Sequence, residues 1–383
     1  MPTPLQARVN GAGPTGALTA VALADAGWQV SLRDRLDAHQ LLERRRAYAL
    51  THSSRELLER LGLWGGLSGR LQPFRQLRLI DRWLDRQVDF DPEDLGDGTA
   101  AVGWIVDHRD LMELLLERIR VTDGIALELA AADRPPSPAD GVLVVAADGP
   151  ASGARLAERI GWWGWRYRQG CLAAQVELRG SAATEAWEIL RPEGPFAVLP
   201  LGERRFQIVW SAPLERCRRR EAMEPAAFLD LLAGVLPDPL QPDALLDRPR
   251  AFPVELRLAS RLHRGRTVLV GESAHRCHPV GGQGLNLCWR DVAELHRLAR
   301  RAAAGRLAPR RLGAVYGRRR RPDLLLTLLA TDLLTRTFSN RLRPLAPLRR
   351  LGLRLLADMP WLRRRVLATM THGPCRLLRR PAG

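Results

Sequence analysis

Three glycines, Gly11, Gly13 and Gly16, stand in the spacing G-x-G-x-x-G, directly after the strand-like run QARVN (6–10) and before the alanine-rich stretch ALTAVALADAG. Glycine at such positions permits a tight turn and lets a pyrophosphate lie against the backbone, its charge resting on the positive end of the following helix. Asp34 lies 21 residues beyond Gly13, at the end of the next strand-like run, WQVSLRD, where a carboxylate can accept ribose hydroxyls. The blander alternative is an ordinary strand-to-helix turn with Asp34 as a solvated charge. Strand, helix and acid in register favour dinucleotide binding.

A second cluster, GESAHRCHPVGGQGLNLCWRDVAEL (271–295), follows the apolar strand TVLV. Its His275, Cys277, His278 and Cys288 could be metal ligands, but no C-x-x-C pair or compact ligand set accompanies them, so no metal is expected. Trp162, Trp163, Trp165 and Tyr167 form an aromatic cluster that packing in the core or at a domain junction explains better than substrate contact. Arg318 to Arg321 could grip phosphate, although a solvated face is the default for a charge run.

These residues need elements to position them. A helical pattern after Gly16 stops at Gly27, and a second runs from about Ser53 to Leu61 and stops at Gly62. Strand-like segments recur at RQLRLI, RQVDFD, GWIVD, VLVVAADG, LAAQVEL, FAVLPL, RFQIVWSA and TVLVGES, with PPSPADG (135–141) as the one low-complexity loop. From about Asp291 the chain reads as helices alone. The expected fold is therefore mixed α/β: a Rossmann-type nucleotide-binding domain (1–70, 100–160, 262–305), an interleaved antiparallel-sheet substrate domain (71–99, 161–261), and a helical C-terminal region (306–383).

Composition bounds the function. With 383 residues, 46% of them hydrophobic, the chain can bury a large core, which excludes wholesale disorder. Five scattered cysteines argue for a reducing compartment, and the first residues carry no signal-peptide pattern, so a cytoplasmic location is expected. Every one of the 59 basic residues is Arg, and 19 of them fall in residues 306–383 against three acids. Nucleic-acid binding fits only that charge, since the tail shows Leu-rich helical spacing rather than interleaved aromatics.

Taken together, these segments resemble the ubiquinone-biosynthesis hydroxylases, FAD-dependent aromatic monooxygenases related to para-hydroxybenzoate hydroxylase. The pattern G-D-A-A-H…P…G-Q-G-x-N…D…L of that family is matched by Gly271, Ala274, His275, Pro279, Gly282, Gln283, Gly284, Asn286, Asp291 and Leu295. RAYALTHSSRELLERLGLW (46–64), VAADGPASGAR (145–155), GPFAVLPL, AFPVELRLA and TDLLTRTF resemble its further segments, in the family's order along nearly the whole chain.

The resemblance implies FAD as cofactor, NAD(P)H as a transient reductant without a Rossmann motif of its own, and O₂ as the source of the inserted oxygen. It places Gly11, Gly13, Gly16, Asp34 and Asp148 by the pyrophosphate and ribose, and Arg46 and Arg109 on phosphate or ribityl oxygens. Gly271 and Glu272 fall by the ribityl chain, and the backbone of Gly284, Leu285 and Asn286 at the pyrimidine edge. Pro279 and Gly281 would border the reacting part of the ring, with His275 as a catalytic or loop-supporting residue. The implied substrate is a lipophilic prenylated phenol or quinone precursor. An enzyme for such a substrate gains by sitting peripherally on a membrane, to which the basic tail is suited, with a quinone-synthesis protein complex as a further possible partner.

Some positions depart from the family: Glu272 replaces its Asp, Cys288 and Ala146 replace glycines, and the stretch between Leu115 and Gly141 is short for the usual β-meander. These departures support an alternative reading as a non-catalytic scaffold in quinone biosynthesis. A flavoprotein prenyl reductase or carotenoid-modifying enzyme is a further alternative, sharing the first motif but not the GQGLN cluster.

Overall fold

The apolar run Ala7, Val9 and the equally apolar Val144, Val145 make central strands that must be covered on both faces. In the computed structural model, which describes residues 4–131, 141–180 and 183–375, they lie side by side in a six-stranded sheet. Its order is His263–Arg264, Thr267–Leu269, Leu143–Ala146, Gln6–Asn10, Gln29–Arg33, Ile125–Glu128, all pairs being parallel except the first.

Helix α1 (Pro14–Asp25) follows the first strand, with Pro14 suited to its first turn and Gly27, at φ +83°, beyond its end. Its alanines are small enough for close packing on helix α2 (His108–Val121) and helix α3 (Gln283–Ala303). The sequence reading passed over α2, although Leu111, Leu115 and Ile119 recur at helical spacing and are buried.

A second sheet of nine strands holds the alternating segments of the chain's centre. Its spine is Trp162–Arg179, an 18-residue strand. A register shift between Arg166 and Gly170 bends it, so that one end packs with the first core and the other with the second. The aromatic cluster expected near its start lies at a junction: the Tyr167 hydroxyl donates to Asp332 at 2.5 Å. A third, three-stranded sheet (Ala47–Leu50, Gly103–Asp107, Leu71–Phe74) brings residues 71–74 to strand Gly103–Asp107. Ile125–Glu128 pairs into the first sheet, while residues 132–140, which hold most of the low-complexity loop and part of the stretch expected to be a short meander, lie outside the described residues.

The C-terminal region forms helices α4 (Leu312–Phe338), α5 (Ala346–Asp358) and α6 (Pro360–His372). They pack on the body. Leu353 and Leu367 enter a core cluster with Phe74, Val88 and Phe90, each such burial contributing about 1.5–3 kcal/mol before entropy is counted. The run Arg318–Arg321 is not uniformly solvated: Arg320 is buried, where Asp291 of α3 and Asp323 of its own helix pair with it. None of the helices among the described residues is long and apolar enough to cross a membrane.

Candidate active site

The first turn assigns each glycine a separate task. Gly11 has φ +97°, and a Cβ there would stand 2.5 Å from the Ala147 carbonyl oxygen. At Gly16 a Cβ would stand 1.7 Å from the Gly11 carbonyl oxygen, so α1 could not approach its strand. A Cβ on Gly13 would meet no protein atom within 4 Å; it would project into a cavity. Asp34 closes the turn, accepting the Ala12 N–H at 2.6 Å and the Leu36 N–H at 2.9 Å.

That cavity, of about 1840 Å³, joins the three motif regions. Gly11, Gly13, Asp34 and Asp148 line one end, Arg46 and Glu272 the middle, and Pro279, Gly281, Gly284 and Leu285 a turn leading into the apolar floor of the second sheet. The turn relies on φ +67° at Gly281 and +63° at Gly282, followed by the N-terminus of the 21-residue α3, whose backbone dipoles favour negative charge. Burial pushes His278 down to about 4, and its neutral Nδ1 accepts the Val280 N–H at 3.2 Å, shaping that turn.

The same turn is braced from behind. Asp291, fully buried, accepts the Gly271 N–H at 2.9 Å and His275 Nε2–H at 2.7 Å on one oxygen, and Arg320 at 2.7 Å on the other. Burial alone would raise its pKa, but His275 and Arg320 hold it below the ordinary carboxylate range. Arg320 and Arg290 also share Asp323, at 2.6 and 3.0 Å. Asn286 accepts from Ser54 at 2.6 Å and donates to the carbonyls of Ala49 and Gly282 at 2.7 and 2.8 Å. Its side chain thus clamps α3 to strand Ala47–Leu50 and does not line the cavity.

Two expectations are corrected. Arg109 does not reach the cavity: it heads α2 with its side chain 70% exposed and paired with Glu113 at 2.9 Å. His275 is 1% exposed and committed to Asp291, so its place is that of a positioning residue for the loop and not of a proton carrier. Gly16 and Gly271 likewise act through packing; a Cβ on Gly271 would stand 2.9 Å from Thr15. Arg46 does face the cavity, held by its Nε–H donating to the Tyr48 hydroxyl at 2.8 Å. Burial opposes its charge, but Tyr48 and Glu272 hold the guanidinium charged, above its ordinary value.

Several lining residues escaped the sequence reading. Arg44 and Arg45 share the wall with Arg46, and the run RRR was their only signal. Glu188 stands on the sheet floor, and Arg365 and Met370 of α6 help to close the cavity, a contribution no local pattern announces.

The residues fit a dinucleotide. Gly13 leaves open the space a side chain would fill, and Asp148 Oδ1 is buried with no hydrogen-bond partner among the described residues at that same end of the cavity. Of the two departures from glycine, Ala146 is buried in the core beside the central strand and Cys288 is buried on the cavity wall.

A Rossmann-type domain joined to a mixed sheet around such a cavity defines the architecture of the flavin-dependent monooxygenases. The structure of p-nitrophenol 4-monooxygenase PnpA from Pseudomonas putida shares this fold, with a TM-score of 0.79 at 20% identity, covering 97% of this chain and 99% of that one. An FAD binding domain family matches residues 140–323. Ubiquinone hydroxylase UbiL of Rhodospirillum rubrum is 33% identical, over 96% of this chain and 90% of its own. The uncharacterized protein slr1300 of Synechocystis is 31% identical, over 95% and 92%. The chain belongs to the ubiquinone-biosynthesis hydroxylase family of FAD-dependent aromatic monooxygenases. FAD is its cofactor.

Proposed function

We propose that the protein hydroxylates the aromatic ring of a lipophilic prenylated phenol or quinone precursor, using NAD(P)H and O₂. The supporting observation is the continuity of the cavity. It runs from a polar end shaped for a pyrophosphate to a floor made of Leu77, Leu79, Ala197, Leu199 and Val209, with Ala330, Leu334, Leu356 and Val366 from the C-terminal helices across from it. Such a surface offers a hydrocarbon chain a dry environment but few polar partners.

In this reading Gly11 and Gly13 hold the pyrophosphate end with Asp148 beside it, Asp34 accepts from a ribose, Glu272 accepts from ribityl hydroxyls, and Arg46 donates to phosphate or ribityl oxygens. The α3 N-terminus at Gly284 and Leu285 stabilises negative charge at the pyrimidine edge. Pro279 and Gly281 border the ring. When bound, FAD supplies the reduction of O₂ and the oxygen transfer; the protein supplies orientation, electrostatics and exclusion of water. The measurement is NAD(P)H oxidation by FAD-loaded protein with and without a prenylated phenol. Faster oxidation with a hydroxylated product supports the reading, and unchanged oxidation yielding only hydrogen peroxide refutes it.

Membrane-surface work has its own support. Leu326, Leu329 and Leu333 form one exposed stripe on α4, 43%, 52% and 67% accessible, beside exposed Arg318 and Arg321. Leu348, Leu351 and Trp361 extend the apolar surface over α5 and α6. Helices that pack inward through Leu353 and Leu367 while presenting leucine and arginine outward suit a lipid interface. Each engaged Arg adds about 1 kcal/mol at an anionic surface. Flotation with anionic liposomes at low salt is expected to recover the protein, and equal recovery on neutral liposomes would refute electrostatic attachment.

A further inference from the structure

We propose that Glu188 is the base that accepts the proton of the substrate's ring hydroxyl. The inference rests on the phenolic substrate class proposed above and adds a group that no motif contributes. Glu188 lies on strand Glu185–Leu190 of the nine-stranded sheet, in register with Leu79 on one side and Ala197 on the other. The row continues across the floor through Val209 and Ala173. Among the described residues that strands Gln76–Asp81, Glu185–Leu190, Phe196–Gly202, Arg205–Pro213 and Trp162–Arg179 contribute to the cavity wall, Glu188 alone is ionisable.

Its position relative to the site is defined by one contact. A carboxyl oxygen of Glu188 accepts the Gly281 N–H at 3.3 Å, a long hydrogen bond that satisfies little of a carboxylate. Gly281 belongs to the turn that borders the flavin ring in the reading above. A phenol lying between that turn and the floor therefore meets one half-buried carboxyl oxygen able to accept its O–H.

No neighbouring charge sets its proton affinity. The adjacent strands present Leu79 and Ala197, the turn presents backbone, and Arg276 elsewhere on the wall is paired with Glu255 at 3.0 Å. Arg365 of α6 lines the same cavity, and the neutral thiol of Cys171 lies within electrostatic reach of Glu188. Burial pushes the Glu188 carboxyl up to about 7, opposed only by the Gly281 N–H. A base poised there takes a proton near neutral pH more readily than an ordinary carboxylate.

The step is a proton transfer without redox change. The phenolic O–H bond breaks, its electron pair stays on the ring oxygen, and the proton bonds to a Glu188 carboxyl oxygen. The resulting phenolate donates electron density to its ortho and para carbons, which an electrophilic oxygen then attacks.

The test uses FAD-loaded wild type and Glu188→Gln, whose amide oxygen can still accept the Gly281 N–H. Binding of a 2-prenylphenol and of its methyl ether is measured by calorimetry at pH 6 and pH 8, on either side of about 7. The ionised carboxylate should make wild type prefer the phenol by about tenfold at pH 8, with the preference shrinking at pH 6, because an O–H bonds strongly to a charged acceptor and an ether cannot. Glu188→Gln should bind the phenol with no pH-dependent preference. Its hydroxylated product per reductant consumed should fall by about 100-fold, with hydrogen peroxide making up the difference. A pH-independent preference in wild type, or hydroxylation by Glu188→Gln close to the wild-type level, overturns the proposal. Should wild type hydroxylate no phenol at all, the functional reading fails, and the binding comparison then decides Glu188 alone.

Discussion

His275 donates its Nε2–H to Asp291 across 2.7 Å, joining the start of the glycine-rich turn to the third turn of α3. Asp291 passes the constraint on to Arg320 of α4 at 2.7 Å, so that a helix of the basic tail braces the loop that shapes the cofactor end of the cavity. Breaking this pair from the α4 side should be costly. Arg320→Leu removes the guanidinium that pairs with one Asp291 oxygen and leaves that buried carboxylate with the hydrogen bonds from His275 and the Gly271 N–H, and a loss of about 3–5 kcal/mol is expected. His275→Ala removes one hydrogen bond and should cost about 1–3 kcal/mol. Urea midpoints of both variants decide the order, and a smaller loss for Arg320→Leu would contradict it.

The same network sets an acid limit. Asp291 and Asp323 sit below their ordinary value of 3.8 in the folded protein, because Arg320 and its neighbours outweigh the burial that would raise them. Their contribution is present above that value and is lost as pH falls through the depressed folded pKa values. Thermal midpoints should therefore fall steeply below about pH 4, and less steeply in Arg320→Leu, where less of that stabilisation remains to be lost.

Gly13 and Gly16 should fail in different ways. Gly13→Val places its side chain in open cavity, so the protein should fold with a melting temperature close to wild type but purify without FAD. Gly16→Val drives a side chain into the Gly11 carbonyl, within 1.7 Å already at Cβ, and should not accumulate as folded protein. Near-ultraviolet circular dichroism and the flavin absorbance separate the two outcomes.

Glu272 faces the cavity within the electrostatic reach of Arg46. Glu272→Asp shortens the side chain by one methylene while keeping its charge. FAD affinity should change by less than about fivefold, roughly 1 kcal/mol. Titration of apoprotein with FAD measures it, and a much larger loss would show that the site is built around the longer side chain.

Much of this was legible because it is local. The alternation of RFQIVWSA becomes a strand over Arg205–Pro213, and the glycines at 11, 13 and 16 mark a strand-turn-helix whose geometry depends on near neighbours alone. The spine Trp162–Arg179 was read only in part, since its first residues look like an aromatic cluster until strand Arg250–Ala259 pairs with them. Arg109 carries the right chemistry at the head of a helix, but the direction of that helix turns it outward to Glu113.

Residue type and spacing thus determined the α/β class, the dinucleotide turn and the motif over 271–295, because backbone preference and short-range sterics act within a few residues. Only the tertiary structure decided which charges matter. Arg320 lies in a run of four arginines and is buried because α4 packs on α3, while its neighbours Arg318 and Arg321 meet water. Glu188 is one acid in an unremarkable strand until sheet register sets it among Leu79, Ala197 and Val209, where desolvation gives it a different proton affinity from an exposed glutamate. Burial and long-range pairing depend on the whole chain, and no local pattern of residues encodes them.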